Sequence, residues 1–374
     1  LKLVCDGFWY NIQSAIFFSR CCTNGVYGKK EMVWIYGVIS TAHLEGLKKL
    51  RDDNRKTFEL SAVCDLSLNR AESFATEVEK QLGKRPIVYT DYRHMLEKEH
   101  LDAVSVLLDH DLHHKVTEDC FASGVNVQMQ KPLAISPMFG RKMLADAKKY
   151  NKVLTLSEPS VLGAGNVAMA RAVKDGLIGD VYMIMDYATV TLGRTFFAGT
   201  PWRHMKGRAG TGWINDHGIH RTHFFTEING PIQEVFAYTR IFEKELSNGE
   251  STIYPTGEDT SVTVFRFENG GLGHWMCSTA AHGEKADGVW VYGSKGCLRP
   301  GQYAVLEDNR IASLSEIIKN YAFDVVDDPF AHSYLELWDA IVDLKQPISS
   351  AERGLEALNG MKIQLLKKCK YKRA

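Results

Sequence analysis

The sequence predicts an α/β chain in two parts: a doubly wound parallel sheet, then an α+β domain built on a large, open, mostly antiparallel sheet. Three observations predict it. Short apolar runs alternate with helix-period stretches over residues 31–155, long strand-like runs take over from 156, and turn or cap residues punctuate the boundaries.

Residues 33–36 form an apolar run, followed by Gly37 and a helix-period stretch through Ala42, Leu44, Leu47 and Leu50. That is strand, tight turn, helix. Residues 60–64 make a second strand ending at Asp65, and Ala71, Phe74, Ala75 and Val78 mark a helix that Gly83 stops. Val88 and Tyr89 make a short third strand, with Thr90 or Asp91 capping the next helix. The near-continuous apolar run at 103–108 suits a strand covered on both faces. A fifth strand at 125–129, a helix at 137–150 and a run at 154–156 complete this half.

Beyond it, a helix at 167–174 precedes strand-like segments at 181–191, 234–240, 261–267, 272–279, 289–292 and 297–306. Gly270-Gly271 reads as a hairpin turn. Helices at 330–344 and 352–368 close the chain, in a position to pack back on the first half. The expected organisation is an extension of unassigned role at 1–30, a parallel-sheet domain at 31–155, and an α+β domain at 156–374; the resemblance given below implies cofactor binding for the first domain, and substrate binding and oligomerisation for the second.

Composition narrows the partners. The chain has 374 residues with 45 basic against 45 acidic side chains, so it carries no electrostatic footprint for nucleic acid or an anionic membrane. No apolar run reaches the roughly 18 residues of a spanning helix. Eight scattered cysteines without CxxC spacing read as reduced thiols of a cytoplasmic protein. A small-molecule partner is the expectation.

The chemistry concentrates in three places. The turn Gly37-Val38-Ile39-Ser40 opens a helix whose N-terminal amides can face a pyrophosphate, and Asp65 ends the second strand, where a carboxylate can accept ribose hydroxyls. Gln130-Lys131-Pro132 sets an ammonium at the carboxyl end of the fifth strand, which in open α/β sheets borders the ligand crevice. In the segment from Asn215 to His223, Asp216 and His220 are i, i+4 on a helix, so the carboxylate can orient the imidazole for proton transfer. The histidines at 217, 220 and 223 recur every third position, which is no metal signature, and no metal is expected.

These residues resemble the Gfo/Idh/MocA family, the glucose-fructose oxidoreductase and inositol dehydrogenase group, from about residue 32 onward. The likeness is carried by Ala62-Val63-Cys64-Asp65, Tyr89-Thr90-Asp91-Tyr92, Leu101-Asp102-Ala103-Val104, Gln130-Lys131-Pro132, Asp216-x-Gly218-x-His220 and Gly293-Ser294-Lys295-Gly296. It implies a Rossmann cofactor domain, NAD as cofactor with NADP disfavoured, and an open sheet that makes dimer or tetramer contacts. It also implies that Lys131, Asp216 and His220 are the catalytic residues. Expected cofactor contacts are Gly37, Ile39, Ser40, Asp65, Arg70, His113, Gln130 and Lys131; expected substrate contacts are Trp202, Arg203 and His223. The sequence departs from the family in a glycine loop two residues short, in Gln130 for the usual acid, and in His223 where many members carry Asp.

The activity implied is NAD-dependent oxidation of a secondary hydroxyl on a sugar, glycoside or polyol, with His220 as base and Lys131 as electrostatic partner. Two alternatives share the fold: a redox-neutral NAD-dependent glycosidase, and a non-catalytic NAD-binding regulator of a sugar regulon. Large apolar residues on both faces of the late strands (Phe265, Phe267, Trp275, Met276) point to a homo-oligomer.

Overall fold

The structure is a computed structural model that describes residues 30–34, 38–189, 200–247, 251–299 and 303–366. The alternating first half folds as the apolar runs dictate. Strands β1 (Lys30–Trp34), β2 (Phe58–Cys64) and β3 (Ile87–Tyr89) form one parallel ladder, and β4 (Ala103–Val106), β5 (Asn126–Gln130) and β6 (Leu154–Ser157) form another. Strand β1 lies against β4, so the spatial order is 3-2-1-4-5-6 and the winding reverses between β1 and β4. Ligands of such sheets bind at the carboxyl ends of the strands beside that reversal.

The helices of this half are α1 (Val38–Asp52), α2 (Leu68–Leu82), α3 (Tyr92–Lys98), α4 (His113–Ala122) and α5 (Pro137–Tyr150). Their ends follow capping chemistry. Gly83 closes α2 in the left-handed conformation, Asp91 accepts the Arg93 amide to open α3, and Ser136 caps α5 with Pro137 in its first turn.

After β6 come α6 (Pro159–Leu162) and α7 (Ala164–Lys174), then an eight-stranded sheet. Its strands are β7 (Val181–Thr189), β8 (Ile232–Arg240), β11 (Thr260–Phe267), β12 (Leu272–Ser278), β13 (Ala286–Gly293), β14 (Gly296–Arg299), β15 (Tyr303–Leu306) and β16 (Ile311–Ala312). They lie in the order 16-15-14-13-7-12-11-8, and every pairing is antiparallel except β7 with β12. A two-residue pair, β9 (Leu246–Ser247) and β10 (Thr252–Ile253), stands apart. Gly270, at φ 88°, makes the turn between β11 and β12 that Gly270-Gly271 announces.

Helices α8 (Lys206–Ala209), α9 (Ile219–Asn229), α10 (Leu314–Tyr321), α11 (Pro329–Val342) and α12 (Ala351–Leu366) complete the chain. One sheet face meets α9: Phe225 stacks on Phe265 with ring centroids 5.5 Å apart, and Trp275 is wholly buried. Helix α11 packs against α1, bringing the end of the chain back to its beginning.

Three expectations are corrected. The expected strand at 297–306 is two, β14 and β15, paired antiparallel, and Pro300-Gly301 is the turn signal in the sequence between them. The expected strand at 289–292 begins earlier, at Ala286. The first strand starts at Lys30, and Tyr36 lies outside the described residues.

Candidate active site

Lys131 follows directly on β5 and is anchored on both sides. Its Nζ donates to the Asp216 backbone carbonyl at 2.7 Å and to Asp216 Oδ1 at 2.9 Å, while its backbone N–H donates to Gln130 Oε1 at 2.7 Å. Gln130 is buried, and both ends of its amide are engaged inside the protein. With Oε1 taken by Lys131, its Nε2 must donate to His43 Nε2, 3.0 Å away. That fixes the proton of neutral His43 on Nδ1, which donates to Tyr334 Oη at 2.6 Å. Burial pushes His43 down to a pKa of about 3, so the ring is uncharged at neutral pH.

Asp216 sits in a π-helical turn, Ile214–Gly218, that leads into α9. Its carboxylate is gripped by Lys131 and by Arg203, and His110 Nε2 stands 3.8 Å away. Burial opposes the charge of Asp216, but the Lys131 and Arg203 cations outweigh it and hold the carboxyl well below the usual range. Gly218 is required by contact, since a Cβ there would collide with the Trp275 ring. The glycine of Asp-x-Gly-x-His thus lets this turn settle onto the sheet.

The expected pairing of Asp216 with His220 does not form. His220 Nδ1 instead donates to Glu158 Oε1, just past β6, and Glu158 also accepts the Ser160 amide at 3.0 Å and the Ser160 hydroxyl at 2.7 Å. The cause is the π turn, whose wider winding displaces Asp216 from the regular i, i+4 alignment and leaves it to the cations. Glu158 is fully buried. Burial works against its charge, yet the charge and hydrogen bond of His220, with His223 and Ser160, bring its pKa down to about 2. A carboxylate on Nδ1 selects the tautomer that leaves Nε2 of a neutral imidazole free to accept a proton.

On the cofactor side, Asp65 ends β2 where expected, buried beneath Arg70, whose Nη2 donates to Oδ1 at 2.6 Å and whose Nε donates to Oδ2 at 3.1 Å. The Ser67 amide also donates to it, at 2.7 Å. Ile39 is half-buried in the first turn of α1, and Gly37 lies outside the described residues. Ser40, in the same turn, is wholly enclosed. His113 is fully buried, with Nδ1 2.9 Å from the Pro132 carbonyl and Nε2 3.1 Å from the Leu108 carbonyl. It braces the two strand-end loops against each other, and burial lowers its pKa to about 4.

Trp202 and Arg203 stand at the site, with the guanidinium carbon 4.6 Å from the indole centroid and His110 edge-on to the indole at 4.7 Å. His223 is fully buried, and neither ring nitrogen has a hydrogen-bond partner. Among the described residues no group of three or more His, Cys, Asp or Glu could hold a metal ion, and no helix is long and apolar enough to cross a membrane. Sequence reasoning missed Glu158, although a carboxylate directly after an apolar strand carries the same signal that singled out Lys131.

A parallel sheet of order 3-2-1-4-5-6, an acid ending its second strand, and a Lys, Asp and His cluster at the strand ends define a dinucleotide-binding α/β protein. Residues 33–158 match the oxidoreductase family with NAD-binding Rossmann fold, and 167–299 match the GFO/IDH/MocA C-terminal domain. The chain belongs to the Gfo/Idh/MocA family. It is 29% identical over 127 residues to glycosyl hydrolase family 109 protein 1 of Akkermansia muciniphila, a match covering 33% of this chain and 26% of that protein. It is 27% identical over 228 residues to D-glucoside 3-dehydrogenase of Escherichia coli, covering 58% of this chain and 62% of that protein. The chain thus spans less than two thirds of the length of each. An oxidoreductase structure from Thermotoga maritima shares the fold, with TM-score 0.73 and 23% identity, covering 88% of this chain and 93% of that one.

Proposed function

We propose that this protein is an NAD-dependent dehydrogenase that oxidises a secondary hydroxyl of a sugar, glycoside or polyol. The observation that carries it is the orientation of His220 by a buried, ionised Glu158, together with a lysine held by Asp216 from the same segment as His220. His220 Nε2 takes the hydroxyl proton and passes it to solvent, and Lys131 stabilises the charge that develops on the oxygen. Asp216, itself bound by Arg203, holds the Lys131 ammonium in place. Bound NAD supplies the acceptor for the hydride that leaves the carbinol carbon, so one alcohol and NAD give one ketone, NADH and a proton. We read Asp65, at the end of β2, as the acid that meets the ribose once Arg70 moves off it; its charge would disfavour a 2′-phosphate and so favour NAD over NADP.

The redox-neutral glycosidase is kept as a second reading, because the relative from Akkermansia muciniphila is named a glycosyl hydrolase. The two differ in stoichiometry, since only a dehydrogenase accumulates NADH. Mixing the protein with NAD and a panel of sugars, inositols and glycosides should raise the absorbance of reduced nicotinamide. His220→Ala should lower that rate by about 10²–10⁴-fold, the usual worth of a positioned base, with NAD affinity little changed. Near-native turnover in His220→Ala would remove the assignment of the base.

We also read the chain as a homo-oligomer joined through its open sheet, and as a protein of a reducing, cytoplasmic compartment. The second reading rests on the free thiols of Cys64, Cys120, Cys277 and Cys297.

A further inference from the structure

A cleft of about 650 Å³ opens on the far side of His220, between α9 and the inner face of β13. Pockets of about 300–1,000 Å³ accommodate whole small molecules, so this one is larger than a single reacting carbinol needs. His220 forms part of its wall, which makes the cleft continuous with the candidate base.

The chemistry of the walls is two-sided. Val289, Val291 and Phe224 make an apolar surface, while Asn166, Arg221 and Asp287 bring hydrogen-bonding groups to the same space. A sugar ring has the same division, with C–H groups on its faces and hydroxyls round its edge. The guanidinium in this wall is already paired. Arg221 Nη2 donates to Asp287 Oδ1 at 2.6 Å, and its Nε lies 3.4 Å from Oδ2 of Asp186, a fully buried carboxylate with no hydrogen bond to either oxygen. The guanidinium is therefore held by Asp287, with Asp186, whose carboxyl burial pushes up to about 7, close behind it, and Arg299 stands at the exposed rim. A phosphate or carboxylate entering beside Arg221 would meet Asp287 at close range.

We propose that this cleft is a subsite for a second, uncharged sugar unit. On the dehydrogenase reading above, on which this rests, the substrate is then a neutral glycoside rather than a free monosaccharide or a phosphate-linked sugar. Both units lie along α9: the ring being oxidised against His220 and Lys131, its glycosidic partner against β13.

The test measures kcat/KM with saturating NAD for a free monosaccharide, its neutral disaccharide and its glycosyl phosphate, all sharing the same reacting ring. The disaccharide should exceed the monosaccharide by at least about tenfold, as expected where binding energy at a remote unit serves the reacting one, and the glycosyl phosphate should show no such gain. Val289→Trp, which fills the cleft, and Asn166→Ala, the milder change, should each bring the disaccharide to monosaccharide ratio toward one. Equal kcat/KM for monosaccharide and disaccharide, or a preference for the phosphate, would overturn the subsite. Calorimetry on the same ligands separates the two readings. Tighter binding of the disaccharide without NADH formation supports the subsite and overturns the dehydrogenase instead.

Discussion

Glu158 and His220 stand 62 positions apart in the chain and share one hydrogen bond. No spacing rule joins them, and the pairing becomes visible only when β6 and α9 are brought together. Lys131, Asp216 and His220 were legible because each sits in a short motif at an element end. The partner of His220 was not, because the i, i+4 rule presumes a regular α-helix and a π turn intervenes. The consequence is a reordering of mutant effects. Glu158→Gln should lower kcat by about 10²–10⁴-fold while NAD affinity holds, because the imidazolium formed in the reaction loses its counter-charge and the tautomer is no longer enforced. With its pKa near 2, Glu158 stays ionised throughout the working range, so ionisation of Glu158 contributes no limb to the native rate profile above about pH 4. Asp216→Asn should act differently, through looser placement of Lys131. Steady-state kinetics across pH for the two variants checks this, and a Glu158→Gln enzyme with native kcat would show that Asp216 carries the role after all.

At the scale of elements, the sequence resolved the strands and helices of the first half because each apolar run ends in a cap, a glycine or a proline. It resolved less where function bends the rules. The π turn before α9 has no periodic signal to place it, whereas the split between β14 and β15 is marked by Pro300-Gly301, and helix α10 by the Ser313 cap and by Leu314, Ile317, Ile318 and Tyr321 at helical spacing. Helix α11 has the clearest hidden role. Through Tyr334, His43 and Gln130 it reaches the backbone of Lys131, and through Ser333 it accepts a bond from Gln128 at 3.1 Å, so two side chains of β5 are tied to it. Tyr334→Phe takes the hydroxyl away from the buried Nδ1–H of His43. That should cost about 1–3 kcal/mol of stability, read as a lower midpoint in denaturant, with a drop in kcat smaller than that of the Glu158 variant. An unchanged midpoint would mean that the chain of hydrogen bonds does not support the lysine loop.

For the whole molecule, the eight-stranded sheet has one face spent on α9 and the other open. Register defines that open face without reference to any partner. Tyr238, Val262, Met276 and Tyr187 stand opposite one another in one row across four strands, and Phe236, Val264, His274, Met185 and Trp290 form the next row across five. The inner rows contain Phe265 and Trp275, which are buried, whereas Tyr238 is 71% exposed, Val264 48% and Val262 43%. Alternation in the sequence already showed apolar residues on both faces. It could not show that the outward ones line up across five strands into a single surface. Soluble monomers rarely leave apolar patches beyond about 300–600 Å² open to water, and a stable interface needs about 800 Å² from each partner. On the homo-oligomer reading, a second copy of this chain, meeting the same face with its own, would supply that cover with closed symmetry. Light scattering at micromolar concentration should therefore give at least a dimer. Val264→Arg, at the centre of the second row, should shift the mass toward the monomer while leaving the circular dichroism unchanged, because its side chain points away from the core. A native protein that scatters as a monomer at that concentration would leave the open face without its partner and end the oligomer reading.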